Sequence, residues 1–256
     1  MNILVTNDDG INSEALKQLV KALSTIGDVF VVAPDSERSG NSQHITSRGR
    51  IRIEERQMEG AKKAYALWGT PTDCIHVSLK FLLRDQIDLV VSGINIGPNQ
   101  SSDICYSGTC GAAREAFMLK VPSIAISTCS WDSTLKDFSV CTDTVLDVIP
   151  KYMANPDRSK YFLNINVPFL KAEEIKGYKV ATTDAIVYYK DAYEWQEEYG
   201  VKYINMHFTF DRYGIEEENI NNDICATNAG YISITPVDCN SLCREYYEKV
   251  KQEWEK

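Results

Sequence analysis

The chain opens on a short apolar run. Ile3 to Thr6 is β-prone and ends at Asn7-Asp8-Asp9-Gly10, the pattern of a buried strand running into a tight turn. Ser13 then caps a helical period that places Leu16, Leu19, Val20 and Leu23 on one face, and Gly27 closes it. Val29 to Ala33 is a second apolar run, stopped by Pro34. Strand, helix, strand in this order predicts a βαβ unit and a parallel pair of strands.

The same alternation continues downstream. Arg50 to Glu54 alternates charged and apolar residues and predicts a half-exposed strand, while Thr72 to Leu83 carries Ile75, Leu79 and Leu82 at helical spacing. Ile87 to Val91 is a continuous apolar strand, followed by a polar, Gly- and Asn-rich stretch from Ser92 to Ser107. Gly108 to Leu119 reads as a helix of small residues, Ser123 to Ser127 as a strand, Thr142 to Met153 as a helix and Phe162 to Val167 as a strand. Strands alternating with helices predict an α/β fold with a doubly wound, mostly parallel sheet. The character changes after Lys176: Tyr178 to Phe210 is rich in Tyr and reads as β-hairpins, Tyr231 to Thr235 as a last strand, and Leu242 to Trp254 as a C-terminal helix. The expected organisation is one α/β domain over 1–256, with a core over 1–176 and a C-terminal hairpin and helix extension over 177–256. More aromatic surface lies in that extension than a solvated arm needs, which predicts a homodimer interface there.

Composition narrows the function. The chain has 256 residues, of which 44% are hydrophobic and 25% charged, the balance of an ordinary globular protein. The net charge of -9 gives no long-range attraction for polymeric DNA or RNA, so a nucleic-acid partner is not expected. The same charge repels a phosphate monoester, so any phosphate site must be made locally positive by a metal ion or a helix N-terminus. The eight cysteines have no C-x-x-C spacing and lie mostly in apolar segments, as expected of reduced thiols in a cytoplasmic protein. The N-terminus lacks the basic and apolar regions of a signal peptide, and no apolar stretch approaches a membrane span, so no membrane partner is expected.

Candidate chemistry collects where parallel strands end. Asn7-Asp8-Asp9-Gly10 follows the first strand, Ser36-Glu37-Arg38-Ser39-Gly40 the second, and Ser92-Gly93-Ile94-Asn95 the strand ending at Val91. In a parallel sheet these loops share one edge. Adjacent carboxylates repel without a cation, and with a hydroxyl and an amide oxygen they make the all-oxygen set that Mg²⁺, Mn²⁺ or Ca²⁺ prefers. The competing reading gives Asp8 a helix-capping role and Asp9 an Asx-turn. Tyr106-Ser107-Gly108-Thr109-Cys110-Gly111 enters a helix with unpaired amides and two hydroxyls facing the opening, a cradle for phosphate. On these residues alone the favoured reading is an ordinary Ser or Thr N-cap with small residues for tight packing. Gly69-Thr70-Pro71-Thr72-Asp73 reads as a Pro-containing helix start with polar caps. His76 reads as structural, whereas the loop residue His44 stands close in sequence to Ser39. There is no G-x-G-x-x-G after the first strand, no P-loop and no G-x-S-x-G, which weighs against a dinucleotide dehydrogenase, a P-loop NTPase and an α/β-hydrolase esterase.

Eight motifs in order, ILVTNDDGI, VVAPDSERSG, GTPTDC, VSGINIGPN, YSGTCGAA, PSIAIS, LNINVP and GYISITP, resemble the SurE family of nucleotidases from Ile3 to about Pro236. The resemblance implies a Rossmann-like three-layer core and a 5′-nucleotidase, a phosphoric monoester hydrolase acting on nucleoside monophosphates. Short polyphosphate and 3′-monophosphates are further candidate substrates. It implies one divalent metal ion per subunit, held by Asp8, Asp9, Ser39 and Asn95, with Asp8 and Asp9 catalytic and phosphate bound by Asn95, Ser107, Gly108 and Thr109. It also implies a homodimer or homotetramer built through the C-terminal region. Gln43 stands where the family usually has a His, with His44 next to it; Gln100 and Ser101 replace a usual Leu or Met and Gly; Thr183-Asp184 replaces a basic pair. The alternative from another class is a metal- and nucleotide-binding sensor without turnover.

Overall fold

The computed structural model describes residues 1–84, 86–132, 134–183, 186–213, 219–239, 250–252 and 254. Its centre is a nine-stranded sheet built on β1 (Asn2–Thr6), β2 (Asp28–Pro34), β3 (Ile53–Arg56), β4 (Ala61–Leu67), β5 (Leu89–Ile96), β6 (Ser123–Thr128), β7 (Phe162–Val167), β8 (Tyr178–Val180) and, after a separate hairpin of β9 (Ile186–Glu198) and β10 (Val201–Tyr213), β11 (Ile232–Val237). The order across the sheet is β3-β4-β2-β1-β5-β6-β7-β11-β8. The six strands from β4 to β7 pair in parallel, and the antiparallel pairs are β3 with β4 and β11 with β7. This is the doubly wound, mostly parallel α/β architecture that the alternating pattern predicts.

Both faces of β1 are covered because its apolar residues alternate sides. Ile3 and Val5 pack with α1 (Glu14–Leu23) and α4 (Ser139–Ala154), through Leu16, Leu19, Val145 and Ile149. Leu4 points the other way, to Cys74 and Ile75 of α2 (Pro71–Val77) and Ala112 and Ala116 of α3 (Gly108–Met118). A strand buried on both sides has no need of polar residues until it ends, which is why its polar residues begin at the loop.

Several boundaries differ from the sequence reading, each for a local reason. The helix expected over Thr72 to Leu83 is α2 followed by one π-helical turn over Ser78–Leu82, in which Ser78 Oγ bonds the Cys74 carbonyl and Leu83 N reaches back to Ser78 O. β4 has no strong β signature, because Lys62 and Lys63 are exposed and its inward residues are the small Ala64 and Ala66. β5 runs on to Ile96, through the polar stretch that read as loop. α5 (Asp223–Asn228) is short and was not foreseen, and β8 joins the main sheet beside β11. The hairpin expected in the Tyr-rich segment is present as β9 and β10. Most of the helix expected over Leu242 to Trp254 lies outside the described residues. Seven cysteines carry no disulfide, as expected; Cys243 lies outside the described residues. No helix among the described residues is long and apolar enough to cross a membrane.

Leu4 is fully buried between β1 and the α2–α3 layer. Leu4→Ala should therefore lower unfolding free energy by about 2–5 kcal/mol. Urea denaturation should show a lower midpoint with an unchanged slope; an unaltered midpoint would place Leu4 outside the cooperative core.

Candidate active site

The chain winds from β1 outward through β2 to β4, then returns to β5 on the other side of β1. The carboxyl ends of β1 and β5 therefore flank a topological switch point, where open α/β sheets leave a crevice. Thr6, the last residue of β1, is paired with Ser92. Asp8 and Asp9 stand just beyond Thr6 and Asn95 three residues beyond Ser92, so register alone brings the acid pair and the amide to one edge.

Asn7, not an aspartate, closes the turn. Its Oδ1 accepts from Gly10 N at 3.2 Å and its Nδ2 donates to Gly10 O at 3.1 Å. Both aspartates are thereby released from turn duty. Asp8 does not cap the next helix either, since Ser13 holds the N-cap position of α1 without a side-chain cap bond. It reaches across to α3, where its Oδ1 accepts from Thr109 Oγ1 and its Oδ2 from Thr109 N at 3.2 Å. Gly108 permits this approach, because a Cβ there would lie 3.0 Å from both Cβ and Oδ2 of Asp8. The carboxylate thus occupies the positive end of α3.

That contact corrects one expectation. Of the two hydroxyls expected to face the opening, Thr109's is committed to Asp8 and the residue is fully buried. Ser107 is the N-cap, its Oγ accepting from Cys110 N at 3.1 Å, and it lines the cavity. Asp8, Ser39, Asn95 and Ser107 share one cavity of about 190 Å³, whose wall also includes Asp103, Tyr106 and Trp131. Asp9, Gly108 and Thr109 are not part of that lining. Asn95 Nδ2 donates to Gly97 O at 2.7 Å, which leaves Oδ1 as the ligand end of the amide. Ser39 Oγ donates to Glu37 Oε1 at 3.0 Å.

The electrostatics are those of an anionic cluster. Burial raises the Asp8 carboxyl above the usual range against the lowering effect of Thr109, and Glu37 adds to the rise. Burial, then the charge of Asp8, then Glu37, push Asp9 to about 7. Asp9 Oδ2 is buried with no hydrogen-bond partner among the described residues. Among the described residues no Lys, Arg or His pairs with Asp8, Asp9 or Glu37, and Arg38 turns instead to Asp35 at 2.9 Å. A hard cation fits this set: all donors are oxygen, two are carboxylates, and one buried carboxylate oxygen lacks a donor. No cluster of three or more His, Cys, Asp or Glu able to hold a metal occurs among the described residues.

The surrounding loops are held by buried side chains that sequence reading missed. Asp73 accepts from Thr46 N at 2.7 Å, Thr46 Oγ1 at 2.8 Å and Thr70 N at 3.0 Å, clasping the segment after Ser39 to the capping box of α2. Gln43 Nε2 donates to Glu115 Oε2 at 3.0 Å, and Glu115 Oε1 meets His76 Nδ1 at 2.9 Å. His44 is exposed and contributes its carbonyl to Thr70 Oγ1 at 2.5 Å. Ser101 adopts a φ of 50°, in the left-handed region that favours glycine. Asp223 of α5 compensates, its two carboxylate oxygens accepting from Ser101 N and Oγ, each at 2.7 Å. Gln100 Nε2 donates to Asp223 O at 2.9 Å and Thr227 Oγ1 at 2.8 Å. The only sequence signal for this clasp is Asn222-Asp223 ahead of a short apolar run.

Fold and site together define an α/β protein with an acidic, oxygen-lined centre at the switch point of its sheet. A sequence profile described as "Survival protein SurE" matches residues 3–190. The chain is 38% identical to the 5′-nucleotidase SurE of Syntrophomonas wolfei over 93% of its own length and 88% of that protein. It is 36% identical to the 5′-nucleotidase SurE of Kosmotoga olearia over 100% and 99% of the two chains. The crystal structure of the SurE protein from Aquifex aeolicus superposes with a TM-score of 0.81 at 31% identity, covering 99% of each chain. The chain belongs to the SurE family.

The raised Asp9 carboxyl has a consequence for the metal-free protein. An unfolded Asp titrates near ~3.9, the folded one at about 7. Between those values the folded state holds more protons, so stability falls as pH rises. In EDTA, the wild-type melting temperature should drop from about pH 4 to about pH 7 on this account, and Asp9→Asn should remove much of the slope. Calorimetric scans across that range test it, and an equal slope in the variant would assign the effect to another group.

Proposed function

We propose that the chain is a divalent-metal-dependent phosphomonoesterase that hydrolyses nucleoside 5′-monophosphates to nucleoside and phosphate. The observation that carries this reading is the Asp8–Asp9 pair at the switch point, Asp8 buried and Asp9 half-buried, with an Asp9 oxygen that no described group satisfies. The relatives named 5′-nucleotidase SurE, matched over nearly the whole chain, support the nucleotide as substrate.

Asp8, Asp9, Ser39 and Asn95 would hold one Mg²⁺ or Mn²⁺, and Ca²⁺ suits the same oxygens. When bound, the ion supplies charge neutralisation for the phosphoryl group and lowers the pKa of a water. The chain's own residues do the positioning. Asp8 is fixed through both oxygens by Thr109, so its direction does not depend on ligand. Asp9 keeps an unpaired oxygen with which to orient the attacking water. Ser107, whose oxygen already accepts from Cys110 N, presents its hydroxyl proton to a phosphoryl oxygen. The N-terminal end of α3 at Ser107-Gly108-Thr109 favours the charge that builds on the equatorial oxygens. The proposal extends to 3′-monophosphates and short polyphosphate, whose terminal phosphoryl group would meet the same residues.

Exposed Tyr193, Trp195, Tyr199 and Tyr203 on the β9–β10 hairpin support assembly of two or four copies through the C-terminal region. The free thiols accord with a reducing compartment such as the cytoplasm. Light scattering on the full chain should give a dimer or tetramer, and a monomer at micromolar concentration would end that reading.

The decisive assay is phosphate release from AMP by wild type and variants, with saturating Mn²⁺ and with EDTA. Wild type should be active only with metal. Asp9→Asn should lose more than the ~10–100-fold expected for a supporting contact. Asn95→Ala should lose less and recover in part with added Mn²⁺. Wild-type turnover in EDTA would falsify the metal mechanism; metal-dependent AMP binding without any phosphate release would favour a sensor.

A further inference from the structure

We propose that Trp131 and Tyr106 form an aromatic wall on which the base of the nucleotide stacks while its phosphate lies against Asp8 and Ser107. The inference rests on the phosphatase reading and names the part of the site that selects a nucleotide over a sugar phosphate. The two rings line the same cavity as Asp8, Ser39, Asn95 and Ser107. They are 59% and 57% exposed, large aromatic side chains left at the mouth of an otherwise small and polar site.

The indole of Trp131 and the backbone of Tyr106 are each held by neighbouring structure. The indole of Trp131 packs against Gly97, where a Cβ would fall 2.6 Å from it and where the φ of 110° also favours glycine. Tyr106 is held between two loops, its N donating to Asp103 O at 2.9 Å and its carbonyl accepting from Ser42 N at 2.9 Å. Prepositioned rings offer a base an apolar face at little ordering cost, and every base has a π-face to present. The wall therefore favours nucleotides as a class, and purines, with the larger ring system, over pyrimidines.

The test compares kcat/KM for AMP and for ribose 5-phosphate, which lacks a base. Wild type should prefer AMP. In Trp131→Ala the ratio of the two should fall roughly 10- to 100-fold, the range for losing one base–aromatic stack, chiefly through KM for AMP. Trp131→Phe, which keeps a stacking face, should restore most of the ratio, and Tyr106→Ala should lower it. A ratio in Trp131→Ala equal to wild type overturns the proposal. Binding is read separately by tryptophan fluorescence: AMP in EDTA should quench wild type, and the quench should vanish in Trp131→Phe, which retains the other three of the four tryptophans. A quench that persists in Trp131→Phe also overturns it. Absence of phosphate release from either substrate, with the Trp131-dependent quench intact, would refute the phosphatase reading and leave the base seat standing.

Discussion

Two adjacent carboxylates, Asp8 buried and Asp9 half-buried, stand at the end of a central strand, and among the described residues neither pairs with a protein cation. Like charges in a poorly solvated site are costly, and the neighbouring structure can be understood as a response to that cost. Asn7 takes over the turn, so neither aspartate is spent on backbone geometry. The start of α3 comes to Asp8, and Gly108 makes room for it. What remains unsatisfied there among the described residues is one oxygen of Asp9, next in sequence to the Asp8 that shares a cavity with Ser39 and Asn95.

The sheet topology decides why these groups meet at all. β1 and β5 are neighbours with the chain reversing its direction of winding between them, so their carboxyl ends open onto a gap that no crossover helix fills. Ser39 arrives from the loop after β2, and that loop would be long and loose without Asp73 and Glu115. Those two buried acids receive the segment's amides and hydroxyls from the side of α2 and α3. Rigidity at the site is thus borrowed from the helical layer beneath it.

Much of this was readable from residues alone where one physical signal dominated. The apolar runs of β1, β2, β6 and β7 and the face of α1 are buried against both layers, and a parallel sheet needs such runs. The convergence of Asp8, Ser39 and Asn95 followed from strand ends in a parallel sheet. Elements held by weaker or non-local signals were not legible. β4 hides behind alanines and exposed lysines. β5 continues through Gly93 and Asn95 because β6 offers it partners, a tertiary fact. The commitment of Thr109 to Asp8 depends on an approach between residues 101 positions apart, which no local pattern reports. The clasp of Ser101 by Asp223, separated by 122 positions, is of the same kind.

The segments on either side of the β9–β10 hairpin are bonded to each other. Thr182 N donates to Asn221 O at 2.7 Å, and Asp223 N donates to Thr182 O at 3.0 Å. Asp223 is the same residue that grips Ser101 beside the cavity. The hairpin between these anchors is a simple two-stranded ladder. Its tip is therefore open to evolutionary drift: pairs of residues can be added or removed there with the ladder merely growing or shrinking. Its base is not, because an indel at the anchors would be passed straight to the loop that walls the site. Length change in this chain therefore has a tolerated direction, outward along the ribbon, and a costly one at its foot.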